Sequence, residues 1–164
     1  MIEIRRAIRD DAGALEDLLR QTDTHYGNAV KSAEDYERVL ADILGSGFME
    51  AVIAWADGRP LGYAIYTFLQ PTDDAGAQMF MKELFVGDAA RGTGLGRALM
   101  RHLTEIALAR GCLRLDWTTD ADNPGAQRFY DRIGAKAMPG RVYYRVAGEE
   151  IRAMMVRLSD NERS

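Results

Sequence analysis

Apolar residues change their spacing several times along the chain, and each change marks an element. Ile2 to Arg5 alternates apolar and polar positions, the period of a short half-buried strand. From Asp10-Asp11 the spacing lengthens, and Ala14, Leu15, Leu18 and Leu19 fall on one helical face. The polar, aromatic-dotted stretch Gln21 to Lys31 predicts a loop. Ser32, with Asp35 three residues on, reads as an N-cap with an acidic first turn. It opens a second helix carrying Tyr36, Val39, Leu40 and Ile43 and stopping at Gly45-Ser46-Gly47.

Phe48 to Trp55, Leu61 to Leu69 and Gln78 to Val86 predict three strands of a meander. Asp57-Gly58 makes the first turn and Pro71 to Gly76 the second. After Gly94 the helical period returns in Leu95, Leu99, Leu103, Ile106 and Ala107, and ends at Gly111. Leu113 to Thr118 predicts a strand and Asn123 to Ile133 a helix ending at Gly134. Val142 to Val146 and Ile151 to Leu158 predict two closing strands. The order implies one α/β (α+β) domain over residues 1–164. Its sheet is mixed and mostly antiparallel, with about seven strands, a parallel βαβ crossover and about four helices.

Composition narrows the function classes. The 164 residues carry a net charge of −4, and their Lys and Arg are scattered rather than gathered in a basic run, which weighs against a nucleic-acid partner. No apolar run approaches the ~20 residues of a membrane span, and the N-terminus turns acidic where a signal peptide has its apolar core. The single cysteine, Cys112, leaves no intramolecular disulfide, and no Cys/His cluster has zinc spacing, so no metal is expected. The expected location is the cytoplasm.

The chemistry lies in Glu83-Leu-Phe-Val-Gly-Asp-Ala-Ala-Arg91-Gly-Thr-Gly94-Leu-Gly-Arg97, where a strand runs through a glycine-rich turn into a helix. Glycines at alternate positions let backbone N–H groups converge, and a helix N-terminus adds unsatisfied donors and partial positive charge. Such a cradle suits a pyrophosphate, with Arg91 and Arg97 as formal charges. A P-loop requires Lys-Ser/Thr after its last glycine, and here Arg97-Ala98 follows. A Rossmann fingerprint requires GxGxxG at a first βα turn, whereas Gly92, Gly94 and Gly96 give GxGxG deep in the chain.

Arg91-Gly92-Thr93-Gly94-Leu95-Gly96 resembles the acetyl-CoA pyrophosphate loop of the GNAT N-acetyltransferase superfamily. Leu84-Phe85-Val86 resembles the strand end that this family pairs with the pantetheine arm of its cosubstrate. Asn123-Pro-Gly-Ala126-Gln-Arg-Phe129-Tyr130, running on to Gly134-Ala135, resembles its second cofactor segment. The resemblance covers nearly the whole chain, and the order of elements is that of the GNAT fold. Gly62 to Phe68, Tyr143 to Arg145 and Leu115 to Thr119 are similar to diamine/thialysine and histone/polyamine acetyltransferases. The resemblance implies an acetyl-CoA-dependent N-acetyltransferase acting on a primary amine, a diamine, polyamine or amino-acid-like one included, by direct transfer in a ternary complex. It further implies a homodimer formed through the C-terminal strands. A protein lysine or N-terminal acetyltransferase, and a non-catalytic acyl-CoA sensor, are the alternatives.

Acetyl transfer requires a held cofactor, a polarised carbonyl, a deprotonated amine and a protonated leaving thiolate. The backbone from Arg91 to Arg97 holds the phosphates, and Val86 pairs with the pantetheine amides as an added strand does. By resemblance the N–H near Phe85 polarises the carbonyl, and Asn123, Ala126, Phe129 and Tyr130 line the cofactor arm. Tyr130 is the candidate acid, since a phenol of pKa ~10 matches a thiolate. Glu83, on the strand entering the cleft, is the candidate base, with Asp116 and His25 behind it. Asp23, His25, Tyr26, Lys82 and Glu83 are candidates for the acceptor site. Polyamine-specific relatives carry two adjacent acids where this chain has Lys82-Glu83, a pair less suited to a polycation. Strand alternation puts Met79 and Met81 on the face of Glu83. Trp55 and Trp117 read as packing residues and His102 as a surface residue, and Cys112 has no neighbouring base to make it a nucleophile.

Overall fold

The computed structural model describes residues 1–70 and 75–161. The turn expected from Pro71 to Gly76 therefore lies mostly outside the described residues. The chain forms two units, Met1–Asn123 and Pro124–Ser164. In the first, β1 (Ile2–Arg6) leads to α1 (Ala12–His25) and α2 (Ala33–Gly45). Then come β2 (Glu50–Ala56), β3 (Arg59–Leu69), β4 (Ala77–Val86), α3 (Leu95–Ala109) and β5 (Cys112–Trp117). The strands lie side by side in chain order, antiparallel from β1 to β4. β5 runs parallel to β4, because α3 carries the chain back to the start of the sheet.

Local chemistry explains where the elements begin and turn. The Asp35 N–H donates to Ser32 Oγ at 3.1 Å, so the expected cap opens α2. Asp57 (φ 50°) and Gly58 (φ 73°) both adopt the left-handed region, as a two-residue hairpin turn between β2 and β3 requires. Asp11 ties the start of α1 to β1. Its carboxylate accepts both Arg5 guanidinium nitrogens at 2.7 Å and the Ile8 N–H at 2.9 Å. The same guanidinium lies 5.0 Å from the Trp55 ring centroid.

The sheet has a helix layer on each side. Leu15, Leu18 and Leu19 of α1 and Tyr36, Leu40 and Ile43 of α2 bury against Ala51, Ile53, Tyr63, Ile65 and Phe85. On the other side α3 packs on β2 to β5, with Leu95, Leu99, Met100 and Leu103 all buried. Complete burial of side chains this size contributes roughly 1.5–3 kcal/mol each before the entropy of ordering is set against it.

One irregularity in β4 separates the two layers. Glu83 pairs with Ile65, but the next partner of the ladder is Tyr66 with Met81, so Lys82 is an extra residue on β4. Partners across an antiparallel pair point to the same side, and Ile65 and Tyr66 point to opposite sides. Glu83 and Phe85 therefore share the α1/α2 face with Ile65 and Tyr63. Met79 and Met81, opposite Phe68 and Tyr66, take the α3 face. This corrects the simple alternation that grouped the two methionines with Glu83. Lys82 itself is exposed.

The second unit holds α4 (Pro124–Arg132) and α5 (Glu149–Asn161). α4 ends in a Schellman arrangement. The Ala135 N–H donates to the Tyr130 carbonyl at 3.1 Å and the Gly134 N–H to the Asp131 carbonyl at 3.0 Å, with Gly134 at φ 87°. The described residues thus contain five strands and five α-helices in place of about seven and four. Ile151, Met154, Met155 and Leu158 recur at helical spacing behind Glu149-Glu150, so α5 replaces the second closing strand. Val142 to Val146 joins no ladder and is not a strand. α1 also continues to His25, five residues into the expected loop. No helix among the described residues is long and apolar enough to cross a membrane.

Gly62 marks a close approach between β3 and β4: a Cβ there would stand 2.6 Å from the Phe85 carbonyl oxygen and 3.3 Å from Val86 Cα. Both obstacles are backbone, so Gly62→Ala should cost about 2 kcal/mol, as overpacking does. Urea unfolding reads this directly; an unchanged midpoint would mean that the strands part freely there.

Candidate active site

The cradle expected from the sequence stands at the junction of β4 and α3. A short 3-10 turn, Asp88–Ala90, follows β4. Gly92 (φ 76°) and Gly94 (φ 89°) then take the left-handed conformation. A Cβ at either would meet nothing within 4 Å, so the backbone angle, not crowding, explains why these positions are glycine. Gly94 precedes the first residue of α3, and no side chain caps the helix. The first-turn N–H groups of Leu95, Gly96 and Arg97 therefore have no intrahelical partner and face the loop with the positive end of the helix dipole. Thr93 does not add to the donors, because its hydroxyl donates to the Ala90 carbonyl at 2.7 Å.

The two arginines differ. Arg91 turns back on its own strand, with Nε donating to the Val86 carbonyl at 3.1 Å and Nη1 2.9 Å from Asp88 Oδ1. Its guanidinium also lies 5.7 Å from the Phe85 ring centroid. Arg97 is exposed and makes no ion pair among the described residues. The cradle thus offers backbone donors and at least one uncommitted cation. These features suit the phosphates of a coenzyme A.

On the α1/α2 side of β4, a polar cluster is built into the apolar layer. Thr22 and Asp23 continue the buried stripe of Leu15, Leu18 and Leu19, and both are buried. Thr22 Oγ1 lies 2.9 Å from the Leu18 carbonyl, to which it donates, and 3.0 Å from the Tyr63 hydroxyl. Tyr63, fully buried on β3, also stands close enough to Glu83 for its hydroxyl to act on the carboxylate's protonation. Burial pushes the Glu83 pKa above the usual carboxylate range. The Tyr63 hydroxyl and the nearby Lys82 and Lys31 charges pull it back in part. Burial next to this carboxylate drives the Tyr63 phenol upward, so Tyr63 stays a neutral donor.

Asp23 behaves in the opposite way. Its Oδ2 accepts Lys31 Nζ at 2.6 Å and the Tyr36 hydroxyl at 2.7 Å. Burial alone would raise its pKa, but these bonds and the nearby Asn28 side chain outweigh it and hold the group below its ordinary value. Lys31 Nζ also lies 5.4 Å from the Tyr36 ring centroid. His25, at the exposed end of α1, stands 4.9 Å from Tyr26 and 6.0 Å from Phe85, centroid to centroid.

One neighbourhood in the first unit therefore gathers Asp23, His25, Tyr26, Glu83 and Phe85 with three residues not singled out from the sequence, Thr22, Tyr63 and Lys31. A polar pair falling on the apolar stripe of α1 was the signal for Thr22 and Asp23. Nothing in the linear pattern marked Tyr63, which reads as core until its hydroxyl partners are known. Asp116 is tied across the β4–β5 pair, accepting Gln78 Nε2 at 2.7 Å with Arg114 Nε at 3.5 Å. Burial raises the Cys112 thiol pKa, which lowers its thiolate fraction. His102 Nδ1 lies 3.6 Å from Glu105 on α3. In the second unit, Phe129 and Tyr130 lie on α4 with ring centroids 5.2 Å apart, although helical spacing separates them by ~100°.

The sequence profile of the acetyltransferase (GNAT) family matches residues 14–135, which include the whole of this neighbourhood and the cradle. The chain belongs to the GNAT family. This GNAT protein is 28% identical to the thialysine N-epsilon-acetyltransferase of Sus scrofa over 92% of its own length and 95% of the relative's. An integron cassette protein from the mobile metagenome of V. cholerae shares its fold with a TM-score of 0.86, at 33% identity over 94% of this chain and 97% of that one. An aminoglycoside N-acetyltransferase solved with CoA aligns with a TM-score of 0.75 over 90% and 96% of the two chains, at 18% identity, a likeness of fold. The GNAT protein is accordingly an acetyl-CoA-dependent N-acetyltransferase, and the mixed α/β fold is the one its sequence implied.

Asp23 gives this site a pH signature in stability. A carboxylate whose pKa is depressed by folding stabilises the protein above its unfolded value of ~3.9 and loses that contribution as pH falls through the folded value. Asp23→Asn should cost about 2 kcal/mol near neutral pH. The gap from wild type should close on acidification below the ordinary carboxylate range. Urea titrations at stepped pH measure it; a gap that persists in acid would assign the loss to packing instead of charge.

Proposed function

We propose that this protein transfers the acetyl group of acetyl-CoA directly to a primary amine in a ternary complex, with Glu83 as the base and Tyr130 as the acid. The observation that carries the proposal is a half-buried carboxylate on the sheet face below the cradle, set beside the neutral, fully buried Tyr63, with a raised pKa. A base in that state takes a proton from an ammonium at neutral pH more readily than an ordinary surface glutamate does.

In this reading the N–H groups of Leu95, Gly96 and Arg97, with Gly92, Thr93 and Gly94 shaping the loop, take the phosphates. Arg97 supplies charge, and Arg91 joins it on leaving Asp88 and Val86. The backbone at Val86 pairs with the pantetheine arm, and the N–H at Phe85 polarises the thioester carbonyl. Asn123, Ala126 and Phe129 line the arm, a role supported by the family motif they match. When bound, acetyl-CoA supplies the activated acyl carbon. Glu83 accepts the amine proton, directly or through a water. The nitrogen forms a bond to that carbon and gives up its second proton to solvent, the carbon–sulfur bond breaks, and Tyr130 donates its phenolic proton to the departing sulfur and is reprotonated from solvent.

Asp23, His25 and Tyr26 lie beside Glu83 and Phe85 at the end of α1, a position that supports an acceptor-binding role. The thialysine N-epsilon-acetyltransferase relatives support a small amino-acid-like amine as the acceptor. Lys82 points to solvent from the bulge, so it stands less directly against a cationic acceptor than its place in the sequence suggests.

The test is thiol release from acetyl-CoA against thialysine, lysine, spermidine, aminoglycosides and lysine peptides. Tyr130→Phe and Glu83→Gln should each lower kcat about 100-fold on the accepted amine and leave CoA affinity essentially intact. Tight CoA binding without turnover on any amine would overturn the catalytic reading. Tyr63→Phe separates base from scaffold. Removing its hydroxyl takes away a group that lowers the Glu83 pKa, so the acidic limb of kcat/KM against pH should move to higher pH. An unmoved limb would mean that Glu83 is not the group titrating in it.

A further inference from the structure

The chain keeps one of its own primary ammonium groups in this neighbourhood. Lys31 Nζ is bound to Asp23 at 2.6 Å, on the same oxygen that the Tyr36 hydroxyl reaches at 2.7 Å, and 5.4 Å from the Tyr36 ring centroid. A buried carboxylate backed by Tyr36, whose hydroxyl binds it and whose ring flanks the cation while Arg20 covers that ring at 4.1 Å, forms a receptor for an alkylammonium ion. The receptor belongs to a helix and its occupant to a loop. Asp23 sits on α1 and its side chain is 7% exposed, whereas the Lys31 side chain is 40% exposed. Residues 28–32 between α1 and α2 carry neither helix nor strand, so Lys31 can leave by rotating its side chain without disturbing an element.

Stability alone does not explain the arrangement. Desolvating two charges offsets most of their attraction, and apolar residues of similar volume serve a core as well or better. The position of the pair is informative. Asp23 follows Thr22, whose hydroxyl meets Tyr63, and Tyr63 stands beside Glu83. The charges of both Asp23 and Lys31 reach Glu83. An ammonium receptor thus stands next to the group assigned as the base.

We infer that Asp23 is the binding position for a second, non-reacting ammonium of the acceptor, and that Lys31 fills it with the chain's own ammonium until such an acceptor arrives. The inference rests on the assignment of Glu83 to the reacting amine and adds a substrate class to it. The preferred acceptor carries two cationic nitrogens joined by a short aliphatic spacer, one placed at Asp23 and the other at Glu83. Lys31 is then a tethered competitor, which weakens the binding of dications and leaves no role for a second charge in monoamines.

Putrescine and butylamine, matched in carbon skeleton, test this in two independent ways. In thiol-release assays, Lys31→Met should raise the ratio of kcat/KM for putrescine over butylamine about tenfold, the worth of one charge-assisted hydrogen bond. Asp23→Asn should bring the ratio close to that of a site blind to the second charge. Without acetyl-CoA, putrescine should raise the melting temperature of Lys31→Met, and butylamine should not. In wild type, putrescine should increase the labelling of Lys31 relative to the exposed Lys82 by an amine-selective reagent, read by peptide mass spectrometry as a ratio that cancels the reagent putrescine itself consumes, because it displaces the ammonium from Asp23. Equal melting shifts with both amines, or Lys31 labelling unchanged by putrescine, overturn the inference whatever the assay shows. A putrescine-specific melting shift and increased labelling without turnover would uphold the Asp23 site while refuting acetyl transfer to small amines.

Discussion

The extra residue in β4 decides what each half of that strand does. Before Lys82, the strand gives Met79 and Met81 to the layer beneath α3; after it, Glu83 and Phe85 go to the layer beneath α1 and α2. Without the bulge, the alternation of a regular strand would put Glu83 on the side of the methionines, away from Tyr63 and Thr22. The polar neighbourhood depends on this one irregularity, because Tyr63 and Asp23 meet Glu83 only on the α1/α2 face. A bulge also twists its strand more strongly. Here it falls four residues before the end of β4, where the chain leaves the sheet for the glycine loop.

The cradle depends on a second constraint, the parallel crossover. A parallel neighbour obliges the chain to leave the C-terminal end of β4, run antiparallel to the sheet as a helix, and return to enter β5 at the same end as β4. The N-terminus of α3 is thereby brought next to the last residues of β4. The donors of an uncapped helix end and the carbonyl end of a strand thus meet at one place, and the left-handed glycines make the turn tight enough to expose them. The buried Leu95, Leu99 and Leu103 stripe holds α3 in that orientation.

Much of this was legible in the sequence. The helix period after Gly94, the Ser32 cap, the Asp57-Gly58 hairpin and the strand–glycine–helix junction all rest on local rules, and local rules survive folding. The misreadings concern information that is not local, or rival signals within one segment. Ile151 to Leu158 contains β-branched and apolar residues that suit a strand, but its acidic first turn and helical spacing prevail in α5. The Val142 to Val146 segment has strand composition yet no partner in a ladder, and strand propensity without a partner forms no strand. The bulge at Lys82 leaves no mark in composition at all. α1 outran its expected end because Thr22 and Asp23, polar by type, occupy the buried face and carry the helix on to His25.

Thr22 and Asp23 also show how one stretch of helix sets two carboxylates apart. Asp23 and Glu83 occupy the same apolar layer, and burial acts on both in the same direction. Their fates differ because of their partners. Asp23 receives an ammonium and a phenol on one oxygen, so its charge is favoured and its pKa falls. Glu83 has a neutral hydroxyl beside it and feels cations only at a distance, so desolvation prevails and its pKa rises. A carboxylate whose ionised form is favoured suits the holding of a cation, and one with raised affinity for a proton suits the removal of one. The opposite protonation preferences of the two acids therefore reside in Lys31, Tyr36 and Tyr63 as much as in the acids themselves.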